Sequence, residues 1–314
     1  MLKGLAIFVS AVAGFVMAHP GWAASSSEVM PRLESNAAIV VDQEQGTALF
    51  AKNVDTVTPI ASITKLMTAV VVLEAKLPLD EVLEVSYEDM DFVKGTRSRL
   101  GIGTRLTRAE MLKLALMASE NRAASALGRN YPGGFPAFVA AMNRKARELG
   151  MSSTRFVDST GLHPENVSTA EDLVRLVDAG YRHPLIREFT TSESHYVALD
   201  NSARSRVLAF NNSNGLVRSG EWDIGLSKTG YISEAGRCLV MQAQIGAKPY
   251  IIVLLDSWGK LSRIADANRV KSWVEGKLGL RDYSPTPRFR QASVRVSKTI
   301  RSRHESRRFR VRRV

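Results

Sequence analysis

Pro59-Ile60-Ala61-Ser62-Ile63-Thr64-Lys65-Leu66-Met67-Thr68-Ala69-Val70-Val71-Val72-Leu73 is the stretch on which the reading of this chain turns. From Ile63 onward the apolar residues leave almost no polar face, and a proline suited to a helix entry precedes them. A helix that is apolar nearly all the way round belongs in the middle of a protein, covered on every side. Ser62 and Lys65 stand three apart in it, and residues at that spacing share a helix face and meet. An unpaired ammonium is costly on a buried helix, so desolvation should push the pKa of Lys65 down toward neutrality. A lysine that can be neutral is a base. Ser62 sits at the helix start, where its backbone N–H is an unpaired donor that can face a developing oxyanion. Serine and lysine are common, however, and a bare S-x-x-K arises by chance in most proteins, so the pair needs companions.

The surroundings set the fold class. Ala37-Ala38-Ile39-Val40-Val41 and Thr47-Ala48-Leu49-Phe50-Ala51 read as two strands around a Gln45-Gly46 turn. Thr107 followed by Glu110 is a capping-box pattern that opens a helix through Met111, Leu112, Leu114, Leu116 and Met117, ending close to Ser119. Helical patterns follow over residues 137–149 and 170–179. After Lys228-Thr229-Gly230 the chain returns to strands over 237–245 and 249–255 around Gly246, then to an amphipathic helix over 264–278. This order predicts an α+β, three-layer domain: the N-terminal hairpin joins the C-terminal strands in one antiparallel sheet flanked by helices, with a helical subdomain between.

Two later stretches supply the companions. Ser119-Glu120-Asn121 closes an apolar helix, and Lys228-Thr229-Gly230 enters a strand expected to edge the sheet. In this order the three pieces match the pattern of penicillin-binding proteins and class A β-lactamases. The sequence resembles the low-molecular-mass D-alanyl-D-alanine carboxypeptidases and endopeptidases, and within them the periplasmic murein endopeptidase branch. The likeness runs from about Ala37 to about Lys277. It is carried by Pro59 through Asp80, Ala115-Leu116-Met117-Ala118-Ser119-Glu120-Asn121-Arg122-Ala123, Tyr131-Pro132-Gly133-Gly134, Thr160-Gly161-Leu162, Asn166-Val167-Ser168-Thr169-Ala170 and Lys228-Thr229-Gly230-Tyr231.

The resemblance implies a β-lactamase/transpeptidase-like fold, peptidoglycan stem peptides as substrate, β-lactams as inhibitors, and no cofactor. It implies that Ser62 attacks the carbonyl of the penultimate D-alanine while Lys65 takes its proton, giving an acyl-enzyme. Ser119 would relay a proton to the leaving nitrogen and Asn121 would hold the substrate peptide group. Lys228 and Thr229 would bind the free carboxylate, and the backbone N–H of Tyr231 would complete the oxyanion hole with that of Ser62. A β-lactamase would need a further carboxylate in an E-x-x-x-N arrangement, which neither Glu165 with Thr169 nor Glu171 with Arg175 supplies. Intact motif residues disfavour a non-catalytic wall-binding module. Family carboxypeptidases commonly append a β-rich domain. Here the peptidase domain closes near Leu280, which favours cross-link endopeptidase, with D-alanyl-D-alanine carboxypeptidase as the alternative.

The ends read differently from the body. Lys3, the apolar residues from Leu5 to Ala18 and the small residues Ala23 and Ala24 describe a cleaved secretory signal over 1–24, hence a periplasmic location. A linker over 25–36, the serine DD-peptidase domain over 37–280 and a basic tail over 281–314 complete the expected organisation. The single cysteine, Cys238, excludes an internal disulfide. The net charge is +12, but 12 basic and two acidic residues of the tail account for most of it, and the body carries 31 basic against 29 acidic residues. Nucleic acid is therefore excluded as a partner of the body. The tail, with Pro285, Pro287 and sparse apolar positions, is expected to be disordered, and an anionic envelope surface is the partner its charge would fit. His163, His183 and His195 lack ligand spacing, so no metal is expected. Tyr131-Pro132-Gly133-Gly134 is expected to be a loop between helices at the cleft rim.

Overall fold

Asp42 ends the first strand by capping the turn beyond it. Its Oδ1 accepts the N–H groups of Glu44 and Gln45 at 3.1 and 3.0 Å, and Gly46 follows at φ 66°, a left-handed conformation that glycine adopts at little cost. The turn joins β1 (Ser35–Asp42) to β2 (Thr47–Lys52), the hairpin read from the sequence. The computed structural model describes residues 30–199 and 206–280. The expected signal (1–24), the first part of the linker (25–29) and the basic tail (281–314) lie outside the described residues.

β3 (Thr58–Pro59) leads into one 3-10 turn, Ala61–Ile63, and then α1 (Thr64–Glu74). The ribbon of β4 (Val82–Glu84) and β5 (Arg105–Thr107) brackets a second 3-10 turn, Tyr87–Asp89, and a long loop. Then come α2 (Arg108–Met117), α3 (Asn121–Arg129), α4 (Gly134–Glu148), β6 (Val167–Ser168), α5 (Ala170–Tyr181) and α6 (Pro184–Thr191). A hairpin of β7 (Ser194–Leu199) and β8 (Arg206–Asn211) and the short α7 (Gly215–Ser219) precede β9 (Asp223–Ile232), β10 (Gly236–Ile245), β11 (Lys248–Ser257) and α8 (Ser262–Lys277). The predicted capping box is present: Thr107 Oγ1 accepts from Glu110 N at 3.2 Å, and the Glu110 carboxylate accepts from Thr107 N at 2.9 Å.

The main sheet runs β2-β1-β11-β10-β9, with every neighbour antiparallel. Ala38, Val40, Met241, Ile252 and Leu254 point to one face, where they pack on Val270, Trp273 and Val274 of α8. Ile39, Val41, Val240, Ile251 and Val253 point to the other and share a core with α1 and α5. Burial on both faces explains why these strands read as unbroken apolar runs. The three layers are thus α8, the sheet, and the helical lobe, and β9 is an edge, as expected. Inside the lobe, every residue of α1 from Thr64 to Val72 is buried. No described helix is long and apolar enough to cross a membrane.

Candidate active site

The cleft forms where α1 begins beside the edge strand. Ser62 lies in the 3-10 turn ahead of α1 rather than in its first α turn. Residues three apart at a helix start share one face, and Lys65, in the first turn of α1, brings its Nζ to 2.9 Å from Ser62 Oγ. The turn is strained: Ala61 has φ 48°, a region that costs a residue with a side chain of order 1–3 kcal/mol. The loop bearing Gly161 lies directly against it. Gly161 has φ 80°, and a Cβ there would stand 1.9 Å from the Ala61 carbonyl oxygen. Asp158 shapes that loop by accepting the N–H groups of Thr160 (2.6 Å), Gly161 (2.6 Å) and His163 (2.9 Å).

Lys65 is fully buried. Its ammonium donates to Ser62 Oγ, to Asn121 Oδ1 at 2.8 Å and to the Thr160 carbonyl at 2.7 Å. Three protons have three acceptors. Burial nonetheless lowers its pKa to about 8, against the opposing charges of Asp158, Glu120 and Asp91. The burial and the lowered pKa expected of a lysine on an all-apolar helix are both present.

Ser119 sits between α2 and α3 at φ 60°. Its Oγ accepts from Lys228 Nζ at 2.8 Å. Lys228 is almost fully buried, and its pKa is pushed well down by desolvation first, then by the charges of Lys65 and Arg263. Thr229 Oγ1 donates to Ser213 Oγ at 2.8 Å. Gly230 has no room for a side chain, since a Cβ would meet Ile60 O at 2.9 Å and Ser62 N at 3.1 Å. The strand therefore passes against the backbone of Ser62, and Arg263 Nη1 holds it from behind by donating to Gly230 O at 2.9 Å. The next residue, Tyr231, exposes its ring beneath the Arg237 guanidinium, 4.5 Å from the ring centroid.

A serine hydroxyl bonded to a buried, depressed lysine, faced by a second serine–lysine pair on a sheet edge, is equipped for acyl transfer. The sequence matches the family described as D-alanyl-D-alanine carboxypeptidase, peptidase S11, over residues 24–259. The chain belongs to this family. It is 49% identical over 243 residues to a D-alanyl-D-alanine endopeptidase of Pseudomonas aeruginosa, covering 77% of this chain and 78% of that protein. It is 45% identical over 257 residues to a D-alanyl-D-alanine endopeptidase of Escherichia coli, covering 82% of each. Among solved structures it is similar to the Streptomyces K15 DD-transpeptidase, with a TM-score of 0.73 and 27% identity over 78% of this chain and 98% of that one. The β-lactamase/transpeptidase-like fold and the serine D-Ala-D-Ala peptidase class implied by the motifs are thereby established.

In this peptidase the structure gathers all seven residues singled out from the sequence. Ser62, Lys65 and Asn121 form one hydrogen-bonded group, Ser119 and Lys228 a second, and Thr229 and Tyr231 continue along β9. Sequence reasoning missed Thr96, whose Oγ1 accepts from Asn121 Nδ2 at 3.0 Å, as well as Ser213 and the carbonyl of Thr160. Only Thr160 carried a signal, the turn-forming run Asp158-Ser159-Thr160-Gly161. Asn121 follows the end of α2 as the sequence placed it, and it also starts a further helix, α3, behind the N-cap Glu120. The loop expected between helices at Tyr131-Pro132-Gly133-Gly134 joins α3 to α4, but it does not lie at the cleft rim. Tyr131 lines a recess with Val71, Glu74 and Ala75 at the far end of α1, because α3 begins in the cleft and carries the following loop a helix length away. Glu165 and Glu171 pair on the surface with Arg155 (3.2 Å) and Arg175 (2.9 Å), so neither serves the site.

Proposed function

We propose that this DD-peptidase opens D-alanyl cross-links between peptidoglycan stem peptides through a Ser62 acyl-enzyme. The hydrogen bond between the buried Lys65 Nζ and Ser62 Oγ carries the reading. Neutral Lys65 takes the Ser62 proton as Oγ attacks the carbonyl of the penultimate D-alanine, and the N–H groups of Ser62 and Tyr231 receive the oxyanion. Ser119, held by Lys228, hands a proton to the leaving nitrogen. Lys228 and Thr229 bind the carboxylate beyond the scissile bond, and Asn121 holds the stem peptide. Water then releases the acyl group. A β-lactam acylates Ser62 in the same way but leaves a fragment attached that obstructs the water step, so it inhibits.

Endopeptidase is favoured over carboxypeptidase because the three relatives named endopeptidase are 38–49% identical to this chain, whereas a Bacillus subtilis carboxypeptidase is 30% identical. Purified enzyme given cross-linked dimer muropeptides and pentapeptide monomers, with products read by mass spectrometry, should cleave the dimers faster, and Ser62→Ala should cleave neither. Faster trimming of the monomers would make it a carboxypeptidase. The signal-like residues 1–24 support action in the periplasm, and protein from that compartment should begin near residue 24. The basic residues of 281–314 support attraction to anionic envelope polymers; deleting them should weaken envelope association at low salt and leave it unchanged at high salt.

A further inference from the structure

The loop between the second 3-10 turn and β5 reaches the site through hydrogen bonds whose directions are all determined. The Asp91 carboxylate accepts the N–H groups of Val93 and Lys94 at 2.9 Å each and of Thr96 at 2.8 Å, and it also accepts the Thr96 hydroxyl at 2.6 Å. A carboxylate can only accept, so the Thr96 proton is committed to Asp91. Thr96 Oγ1 is then left as an acceptor toward Asn121, and it must face the amide nitrogen, 3.0 Å away. The opposite end of the amide, Oδ1, is thereby turned to the Lys65 ammonium at 2.8 Å. Were the amide reversed, its N–H₂ would meet an ammonium and its oxygen would meet a hydroxyl that has no proton to offer.

The loop is itself pinned. The buried carboxylate of Asp89 accepts from Ser125 Oγ (2.8 Å), Arg129 Nη2 (2.9 Å) and Ser86 N (2.8 Å), and Lys94 forms an ion pair with Glu234 of the β9–β10 turn across the cleft.

We propose that Thr96 and Asp91 are positioning residues for acylation: they fix the direction of the Asn121 amide, giving Lys65 its acceptor and leaving one Nδ2 hydrogen free for a substrate carbonyl. The proposal rests on the acyl-transfer reading of Ser62, Lys65 and Asn121. The charged groups acting on Lys65 are Asp91 from this loop, Glu120 at the start of α3 and Asp158 from the Gly161 loop, with Lys228 facing it from β9.

The test is the rate of acylation by a fluorescent penicillin, measured across pH 6–10. Thr96 is exposed, so Thr96→Val should fold with an unchanged melting temperature. Its maximal rate should fall roughly ten- to a hundredfold, the range over which a lost positioning contact acts. Thr96→Ser keeps the hydroxyl and should stay within about twofold of the wild type. Without its director the amide no longer holds Oδ1 on the ammonium, the charged form of Lys65 is less favoured, and the acid limb of the profile moves to lower pH. In an Asn121→Ala background Thr96→Val should cost nothing more, since the effect passes through Asn121. Three results would each overturn the proposal: an equal loss in that background, a Thr96→Ser variant no better than Thr96→Val, or an unmoved acid limb. Failure of the wild type itself to acylate would instead overturn the acyl-transfer reading.

Discussion

Raising the pH from 7 to 9 should accelerate acylation of Ser62 about tenfold, because the base is then converted to its working form. Lys65 titrates at about 8 in the folded protein, so it is neutral in about one molecule in ten at pH 7, half at pH 8 and roughly nine in ten at pH 9. Single-turnover acylation by a fluorescent penicillin, followed by stopped flow, should give a limb of unit slope that levels off above pH 8. Lys65→Arg cannot lose its proton in this range and should not acylate at any pH.

The same depression is a statement about stability. Unfolded Lys65 titrates at its ordinary 10.5. Between pH 8 and 10.5 the unfolded chain therefore binds more protons than the folded one, and stability rises with pH across that window. The burden from Lys65 is fully present below pH 8 and gone above 10.5. Its size, a difference of about 2.5 in pKa at roughly 1.4 kcal/mol each, is about 3 kcal/mol for a group that is wholly buried. Urea unfolding of the wild type and of Lys65→Met at a series of pH values isolates it, since the difference between them should move by up to about that amount in favour of the wild type. A rate profile flat from pH 6.5 to 9.5, or one with its midpoint near that of free lysine, would refute the assignment of Lys65 as a buried general base.

Gly161→Ala should lower the unfolding free energy by at least about 2 kcal/mol, since the new methyl would combine a left-handed backbone with a collision at the Ala61 carbonyl; a wild-type urea midpoint would show that the loop yields. Asp266 is fully buried and accepts from Glu34 N (3.0 Å), Ser35 N (2.8 Å) and Ser35 Oγ (2.7 Å), joining α8 to the start of β1. Replacing it with alanine should cost about 3 kcal/mol by chemical denaturation yet leave penicillin acylation by the folded fraction unchanged. Loss of acylation without loss of stability would contradict that structural role. The Cys238 thiol, buried and pushed up to about 11 by desolvation, should resist a thiol reagent at pH 8 until denaturant is added; rapid labelling of native protein would show that β10 opens.

The features legible in the sequence are those whose causes lie within a few residues. The all-round apolar run of α1, the capping box at Thr107, the Gln45-Gly46 turn and the doubly buried strands β10 and β11 each announce themselves through local periodicity or turn chemistry. Ser62 and Lys65 were readable for the same reason, because one helical turn brings them together. α3 was not, since it is nine residues long, rich in alanine and starts immediately after a reversal at Ser119 that a residue other than glycine adopts. Nor was the recess behind α1 that takes Tyr131 away from the cleft, which depends on the direction α3 takes after that reversal.

The sequence by itself determined the fold class and placed the Ser62–Lys65 pair on one helix face, because helix burial and residue spacing are local properties of the chain. Only the tertiary structure decided which groups complete the pair. Thr96 meets Asn121 from 25 residues away, Thr160 meets Lys65 from 95, and Lys228 meets Ser119 from 109. Such contacts leave no periodic trace in the chain; they exist because the sheet edge, the helical lobe and two loops close on the same turn.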